Sequence, residues 1–409
     1  MRSAVDNPFM PGADTVPRVW AGRLSQVRDW QDVVRPRRLA GLPERGRTIL
    51  GEAGLGKSTL VRRIAAHARA QGDWVTPQLR LPIGGDPLRR LAGALVGLAD
   101  QAGLATAREH RIGDVVARVR AISAAGVSVT MDPREAPEPY AVLTELLVAI
   151  GERALEADVC VLIHLDEVQN ITDAAELSQV LICLGDALAH EVEVVAPGGV
   201  RLQRVLPIAV YLTGLPEFAE MTAASKGATF ARRFATSTLA PIEAADLRLA
   251  LHQFVTPGWE IPDAAGSTVR VRMEPEAAEA VVRLCCGEPF LFQLAGERAW
   301  YAGSGDVITR AEVEDGWRAV RAEALAHVER ILDRLPPRER QVLETMAGLP
   351  PEGRTAVGIA TAMGLRSASQ IGPFAQRLDT VRGIIERGSP YRFRHRAIEA
   401  YLTSGWPAP

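Results

Sequence analysis

Residues 51–59 read Gly51-Glu52-Ala53-Gly54-Leu55-Gly56-Lys57-Ser58-Thr59, a G-x-x-x-x-G-K-[ST] run that leaves a chain little choice of local fold. Glycines at this spacing let backbone N–H groups turn inward on an anion, and the lysine adds a point charge. Lys57 is one of only two lysines among 47 basic residues. Arginine serves almost everywhere else, but its planar fork is too large for so tight a nest, whereas an ammonium fits between β- and γ-phosphates. The flanks agree. Arg47-Thr48-Ile49-Leu50 is a short β-like run, and Leu60–Ala66 continues with apolar spacing near three to four, so strand, loop and helix are expected in that order. The helix N-terminus would add partial positive charge at the phosphates, and the Ser58 hydroxyl is placed to ligate Mg²⁺. The loop predicts a nucleotide site.

Further β-like runs lie at Trp74–Leu81, Val159–Leu165, Ile208–Leu212 and Thr236–Leu239, alternating with helical stretches. That alternation predicts an α/β domain on a parallel sheet over residues 18–243. The run Val161-Leu162-Ile163-His164-Leu165 is apolar enough for a central strand and ends in Asp166-Glu167. Ligands of parallel sheets sit beyond the carboxyl ends of the strands, so Asp166 is expected at Mg²⁺ and Glu167 as the base that orients and deprotonates water. Thr213, at the tip of the next strand, is a candidate contact to the γ-phosphate or the water. Arg232 and Arg233 precede the last strand and are candidate arginine fingers, Arg233 ahead of Arg232, aimed at a neighbouring subunit's γ-phosphate. The bland readings are an ordinary solvated acid pair, a strand-to-loop turn and a structural ion pair.

A length of 409 residues accommodates two or three cores. The net charge of −2 excludes a global polyelectrolyte attraction, so nucleic-acid contact requires a local patch. Cys160, Cys183, Cys285 and Cys286 lack C-x-x-C spacing and read as reduced core residues, while the seven histidines show no metal-binding pattern. No apolar run reaches the roughly 18 residues of a membrane helix, and a cytoplasmic location is expected. Residues 1–17 read as a loose polar arm. A long helical insertion between the second and third strands, broken at Gly126 and over Asp132–Pro139, has no assigned role. Residues 244–325 read as a small helical domain with a polar interruption at Thr256–Thr268.

Residues 326–409 open at Leu335-Pro336-Pro337 and carry three helical runs, Arg340–Ala347, Ala356–Met363 and Ile371–Val381. Ile384–Arg387, a Gly388-Ser389-Pro390 turn and Tyr391–Arg394 then form a hairpin pattern, and three helices with a hairpin make a winged helix-turn-helix. Arginines at 366, 377, 382, 387, 392, 394 and 396 face Asp379 and Glu386. This local excess suits DNA, with Arg392 and Arg394 on phosphates and Gln376 and Arg377 as base readers. A wing that contacts protein, its arginines simply solvated, remains the alternative.

Taken together, these motifs resemble AAA+ P-loop ATPases of the Orc1/Cdc6-like and STAND-type group across nearly the whole chain. Trp20-Ala21-Gly22-Arg23 is similar to the box that lies near adenine there, placing Gly22 and Arg23 at the nucleotide. Asp166-Glu167-Val168-Gln169, Leu212-Thr213-Gly214-Leu215-Pro216, Arg232-Arg233-Phe234 and Gly287-Glu288-Pro289-Phe290 follow in the group's order. The resemblance implies a five-stranded parallel sheet, a helical lid contributing Pro289, a winged helix, ATP with Mg²⁺ at a domain or subunit junction, and a homo-oligomer. Two departures stand out. Glu288 occupies a position that is often aromatic, and the lid helix has no basic residue before Arg298.

Overall fold

The computed structural model describes all residues except 1, 13–14, 105–109, 126–137, 196–197, 225–230 and 263–266. The break at Gly126, residues 132–137 of the Pro-rich segment and Phe230 lie outside the described residues. The chain divides into two compact units, one made of residues 24–50 and 60–237, the other of 1–23, 51–59 and 238–409.

The first unit is built on a sheet of order β2-β4-β7-β1-β8, with β3 also paired to β4. Its strands are β1 (Gly46–Leu50), β2 (Trp74–Val75), β3 (Leu79–Arg80), β4 (Val161–Asp166), β7 (Ile208–Gly214) and β8 (Phe234–Thr238). The strand expected over 74–81 is thus two pieces, both parallel to β4. Pro77 lies between them, and a residue without an N–H cannot continue a ladder. β4 and β7 are buried along their whole length, as central parallel strands are. Their register pairs Asp166 with Thr213, and β1 pairs Leu50 with Gly214, so these strand tips share one edge of the sheet. The P-loop begins at the residue after Leu50.

The unassigned insertion contains α2 (Pro87–Gln101), α3 (His110–Ala125) and α4 (Pro139–Glu156). Leu91, Leu95 and Leu98 of α2 share one core with Leu143, Leu146 and Ile150 of α4 and with Val161 and Ile163 of the sheet. Each such side chain contributes about 1.5–3 kcal/mol on burial, so the insertion is part of the sheet's cover. An unforeseen antiparallel hairpin, β5 (Glu191–Val195) with β6 (Arg201–Val205), precedes β7. Its signal was the Glu191-Val192-Glu193-Val194 alternation before Gly198-Gly199.

The second unit carries α6 (Ala244–Val255), α7 (Pro275–Leu284), α8 (Pro289–Ala302), α9 (Arg310–Ala319) and α10 (Arg321–Asp333). The interruption expected at 256–268 contributes to a three-stranded sheet instead. β9 (Trp259–Pro262) pairs antiparallel with β10 (Thr268–Met273), which pairs with β11 (Val307–Ile308). The expected loose arm is also corrected. Phe9 is 2% exposed and stacks 5.3 Å from Phe254. Arg2 donates to the Ala299 carbonyl at 3.1 Å and pairs with Glu312 at 2.6 Å. A boundary between residues 325 and 326 would cut α10, and one core runs from Val313 and Trp317 through Val328 and Leu343 to Ile398 and Trp406.

The C-terminal part comprises α11 (Pro337–Ala347), α12 (Ala356–Ala362), α13 (Gly372–Gln376) with a following π-helical turn to Val381, the antiparallel pair β12 (Ile385–Glu386) and β13 (Arg392–Phe393), and α14 (Arg396–Thr403). Tyr391 and Phe393 are buried and Arg392 is exposed, the alternation expected of a hairpin with one covered face. Among the described residues no helix is long and apolar enough to cross a membrane.

Candidate nucleotide site

Lys57 is the first residue of α1 (Lys57–Ala70), so the loop runs straight into a helix N-terminus. Gly54 and Gly56 have φ of +84° and +78°, which any other residue adopts only at a cost of about 1–2 kcal/mol. The buried Lys57 Nζ donates to the Gly51 carbonyl at 2.8 Å and the Glu52 carbonyl at 3.0 Å. Arg23, itself at φ +63°, donates from Nη2 to the Leu55 carbonyl at 3.0 Å. Burial pushes the Arg23 guanidinium down to about 10, with Asp246 opposing. Gly22 also has φ +63°, and a Cβ there would stand 3.0 Å from Ile242 Cγ2. Arg23 therefore braces the loop directly.

Helix α8 meets the loop through its first residues. Pro289 is the first residue of α8, and a Cβ on Gly56 would touch it at 3.6 Å. The Phe290 N–H donates to the Gly54 carbonyl at 3.2 Å. Three further residues escaped the sequence reading. Arg334, just beyond α10, forms an ion pair with the nearly buried Glu52. His327 of α10 lies over Gly54, where any Cβ would collide with its ring. Nε2 of His327 is 2.5 Å from Glu288 Oε2, and Glu288 faces His395 on its other side. No local pattern announces such partners. They are joined only by tertiary structure.

In the sheet unit, Asp166 is 1% exposed and fully engaged. Its Oδ1 accepts from Thr213 Oγ1 at 2.5 Å and from the Glu167 N–H at 3.0 Å, and its Oδ2 accepts from Gln78, which Arg62 holds in turn. Thr213 is buried, and its hydroxyl also meets His164 Nε2 at 2.8 Å. In this structure that hydroxyl therefore serves Asp166 and His164. Burial pushes the His164 imidazole down to about 4, with Asp166 opposing and Arg62 reinforcing the shift. Glu167 takes the left-handed conformation, φ 60° and ψ 42°, a strain that clusters at functional sites. Gln169 binds the Glu167 carboxylate and accepts from the Leu215 N–H at 2.9 Å. Gly214 lies so close that a Cβ would meet Gln169 Oε1 at 2.8 Å.

No family model matches the sequence, and no curated protein matches it either. Solved structures do. A Walker-type ATPase of Pyrococcus abyssi is similar at 13% identity over 94% of this chain and 96% of that chain, with a TM-score of 0.54. The Aeropyrum pernix ORC2 protein, in ADPNP–ADP complexes, is similar at 16% identity over 96% and 95%, also with a TM-score of 0.54. The chain shares its fold with these two proteins. At these identities the likeness is one of architecture.

The remaining candidate residues divide. Arg232 is exposed, whereas Arg233 Nη1 pairs with Asp186 at 2.5 Å. The preference for Arg233 as a finger is weakened, since that pair would have to open. Arg377 is bound to Glu339 at 2.6 Å, and Arg382 reaches the same buried carboxylate at 3.3 Å. Arg377 is thus an internal tie rather than a free base reader. Arg394 and Arg387 share Asp379, at 2.9 and 3.1 Å. Gln376 and Arg392 are exposed, and Arg392 forms no ion pair among the described residues.

Proposed function

We propose that this chain is an ATP-binding and ATP-hydrolysing switch of the AAA+ type. The loop's own geometry carries the reading: Lys57, buried at the first position of α1 just after two left-handed glycines, donates from Nζ to the Gly51 and Glu52 carbonyls of its own loop. A terminal phosphate would meet that ammonium with full negative charge. The reading assigns Mg²⁺ to the Ser58 hydroxyl, with the Asp166 carboxylate holding it through water. Bound Mg²⁺ would neutralise charge on the β- and γ-phosphate oxygens. Glu167, held by Gln169 on its strained turn, would orient the water and take its proton. Thr213 fixes the Asp166 carboxylate and is itself bonded to His164.

Lys57→Ala should abolish detectable binding of a fluorescent ATP analogue. Glu167→Gln should retain binding and lose hydrolysis by about 100-fold or more. Wild-type turnover in Glu167→Gln would remove Glu167 from the base role. The fingers imply a homo-oligomer, in which Arg232 or Arg233 of one subunit completes the next subunit's site. Mixing Arg232→Ala/Arg233→Ala subunits with Lys57→Ala subunits should then restore part of the activity. No recovery, with turnover independent of protein concentration, would argue for a monomeric switch.

The C-terminal helices and hairpin are assigned to a winged helix that contacts DNA, with Arg392 on phosphate and Gln376 facing bases. A second reading, a STAND-like signalling ATPase whose winged helix binds protein, is favoured by the internal ion pairs of Arg377, Arg387 and Arg394. Salt-dependent DNA binding by the full chain separates the two.

A further inference from the structure

Glu288, His327 and His395 meet in the interior of the unit that holds the P-loop, at 0%, 5% and 1% exposure. Each comes from a different stretch of chain. Glu288 caps α8, His327 lies in α10, and His395 immediately precedes α14. The two sides of the carboxylate differ. Oε2 meets His327 Nε2 at 2.5 Å, whereas Oε1 stands 3.1 Å from His395 Nδ1 without a hydrogen bond forming. Neither ring nitrogen of His395 has a partner among the described residues. Native interiors leave few buried polar atoms in that condition, and each one calls for an explanation.

The bonded side abuts the phosphate loop. The His327 ring lies 5.0 Å from the Phe290 ring, Phe290 N–H is bonded to Gly54, and the Gly54 position faces His327. The unbonded side belongs to the C-terminal hairpin and helix. His395 N–H donates to the Ile384 carbonyl at 3.1 Å, and neighbouring Arg396 donates to the Ile242 carbonyl at 2.5 Å.

We propose that Glu288 is a two-position toggle: it holds His327 while the P-loop is in the present conformation, and it transfers to His395 when nucleotide fills the loop and shifts Gly54 against the His327 ring. The C-terminal hairpin and α14 thereby register whether nucleotide is bound. The toggle rests on the nucleotide reading above and adds how that site reports outward. Two discrete arrangements of one side chain are the kind of element that a ligand can bias. No proton needs to leave the cluster. Burial holds His395 below the usual imidazole range, with Glu288 opposing and His327 reinforcing, and a neutral ring with its N–H on Nδ1 suffices for the new bond.

Hydrogen exchange over residues 384–403 of the full chain, with and without saturating Mg²⁺-ATP, tests the toggle while binding is measured in parallel with the fluorescent analogue. In the wild type, nucleotide should change protection of this segment about fivefold or more, the lower end of ordinary coupling. Glu288→Gln and His395→Ala should bind nucleotide and lose the response. A response that persists in both, or a wild type that binds nucleotide with no change over 384–403, overturns the toggle alone. The wild-type arm decides even if a variant fails to fold. A wild type that binds no nucleotide defeats the underlying reading and the toggle with it.

Discussion

Asp166 and Glu288 are both buried carboxylates near a histidine, yet they are built for opposite ends. Around Asp166 both oxygens have donors, from Thr213, the Glu167 N–H and Gln78, and the neighbouring His164 is itself bonded to Thr213. Around Glu288 one oxygen is bonded and the other stands 3.1 Å from an imidazole whose ring nitrogens have no hydrogen bond among the described residues. A fully satisfied polar network rigidifies, and a partly satisfied one keeps an alternative within reach. The sheet unit thus holds its acid still, while the second unit holds its acid between two choices.

The largest expected effect that would break this comparison comes from Asp166. Asp166→Ala leaves several buried donors without their acceptor and should cost about 3 kcal/mol or more, read as a lowered urea midpoint. Thr213→Val removes a single donor and should cost about 1–2 kcal/mol while slowing hydrolysis through a loosened Asp166. If Thr213→Val is as stable as wild type, the network is not the rigid element described here.

Acid separates the histidines next. Burial pushes the folded His164 imidazole down to about 4 from the ordinary value of about 6.5, so the unfolded chain binds this proton first as pH falls. The stability held above pH 6.5 should therefore drain away between about pH 6.5 and 4, by an amount on the order of 3 kcal/mol. His395 is shifted in the same direction. His164→Gln should flatten that acid slope in urea titrations. Equal slopes for wild type and variant would contradict the assignment.

The smallest effect lies in the C-terminal hairpin. Arg392 is exposed and Arg394 is tied to Asp379, so they should not contribute equally to phosphate binding. Arg392→Ala should flatten the slope of log affinity against log salt by roughly one unit, and Arg394→Ala by less. An unchanged slope in Arg392→Ala, or no DNA binding at low salt with ATP present, would move the domain to protein contact.

How much of this was legible in the sequence follows from distance along the chain. The P-loop, the Asp166–Glu167 tip and the hairpin alternation at Tyr391–Arg394 are local patterns, and each appears at its expected place. The docked N-terminal segment was misread because Phe9 is a lone aromatic in a polar stretch, and only Phe254 and Phe292 explain it. Of the small sheet only β9 lies within the polar interruption at Thr256–Thr268, and the Val269-Arg270-Val271-Arg272 alternation just beyond it was the missed cue. Arg334, His327 and His395 carried no cue, since their meaning lies in Glu52, Gly54 and Glu288. Arg377 looked free for the converse reason, because Glu339 lies 38 positions earlier.

The second unit is assembled from three separate pieces of chain, and the phosphate loop is the shortest of them. Glu52 and Arg334 are 282 residues apart. At ribosomal rates of about 5–20 residues per second, the loop emerges on the order of tens of seconds before its clamp exists. Contacts of such separation also form late, because a long loop must close first. A nascent chain therefore passes through a long interval with its sheet able to form and its nucleotide loop unbraced, and competence to hold ligand should arrive only near the end of synthesis.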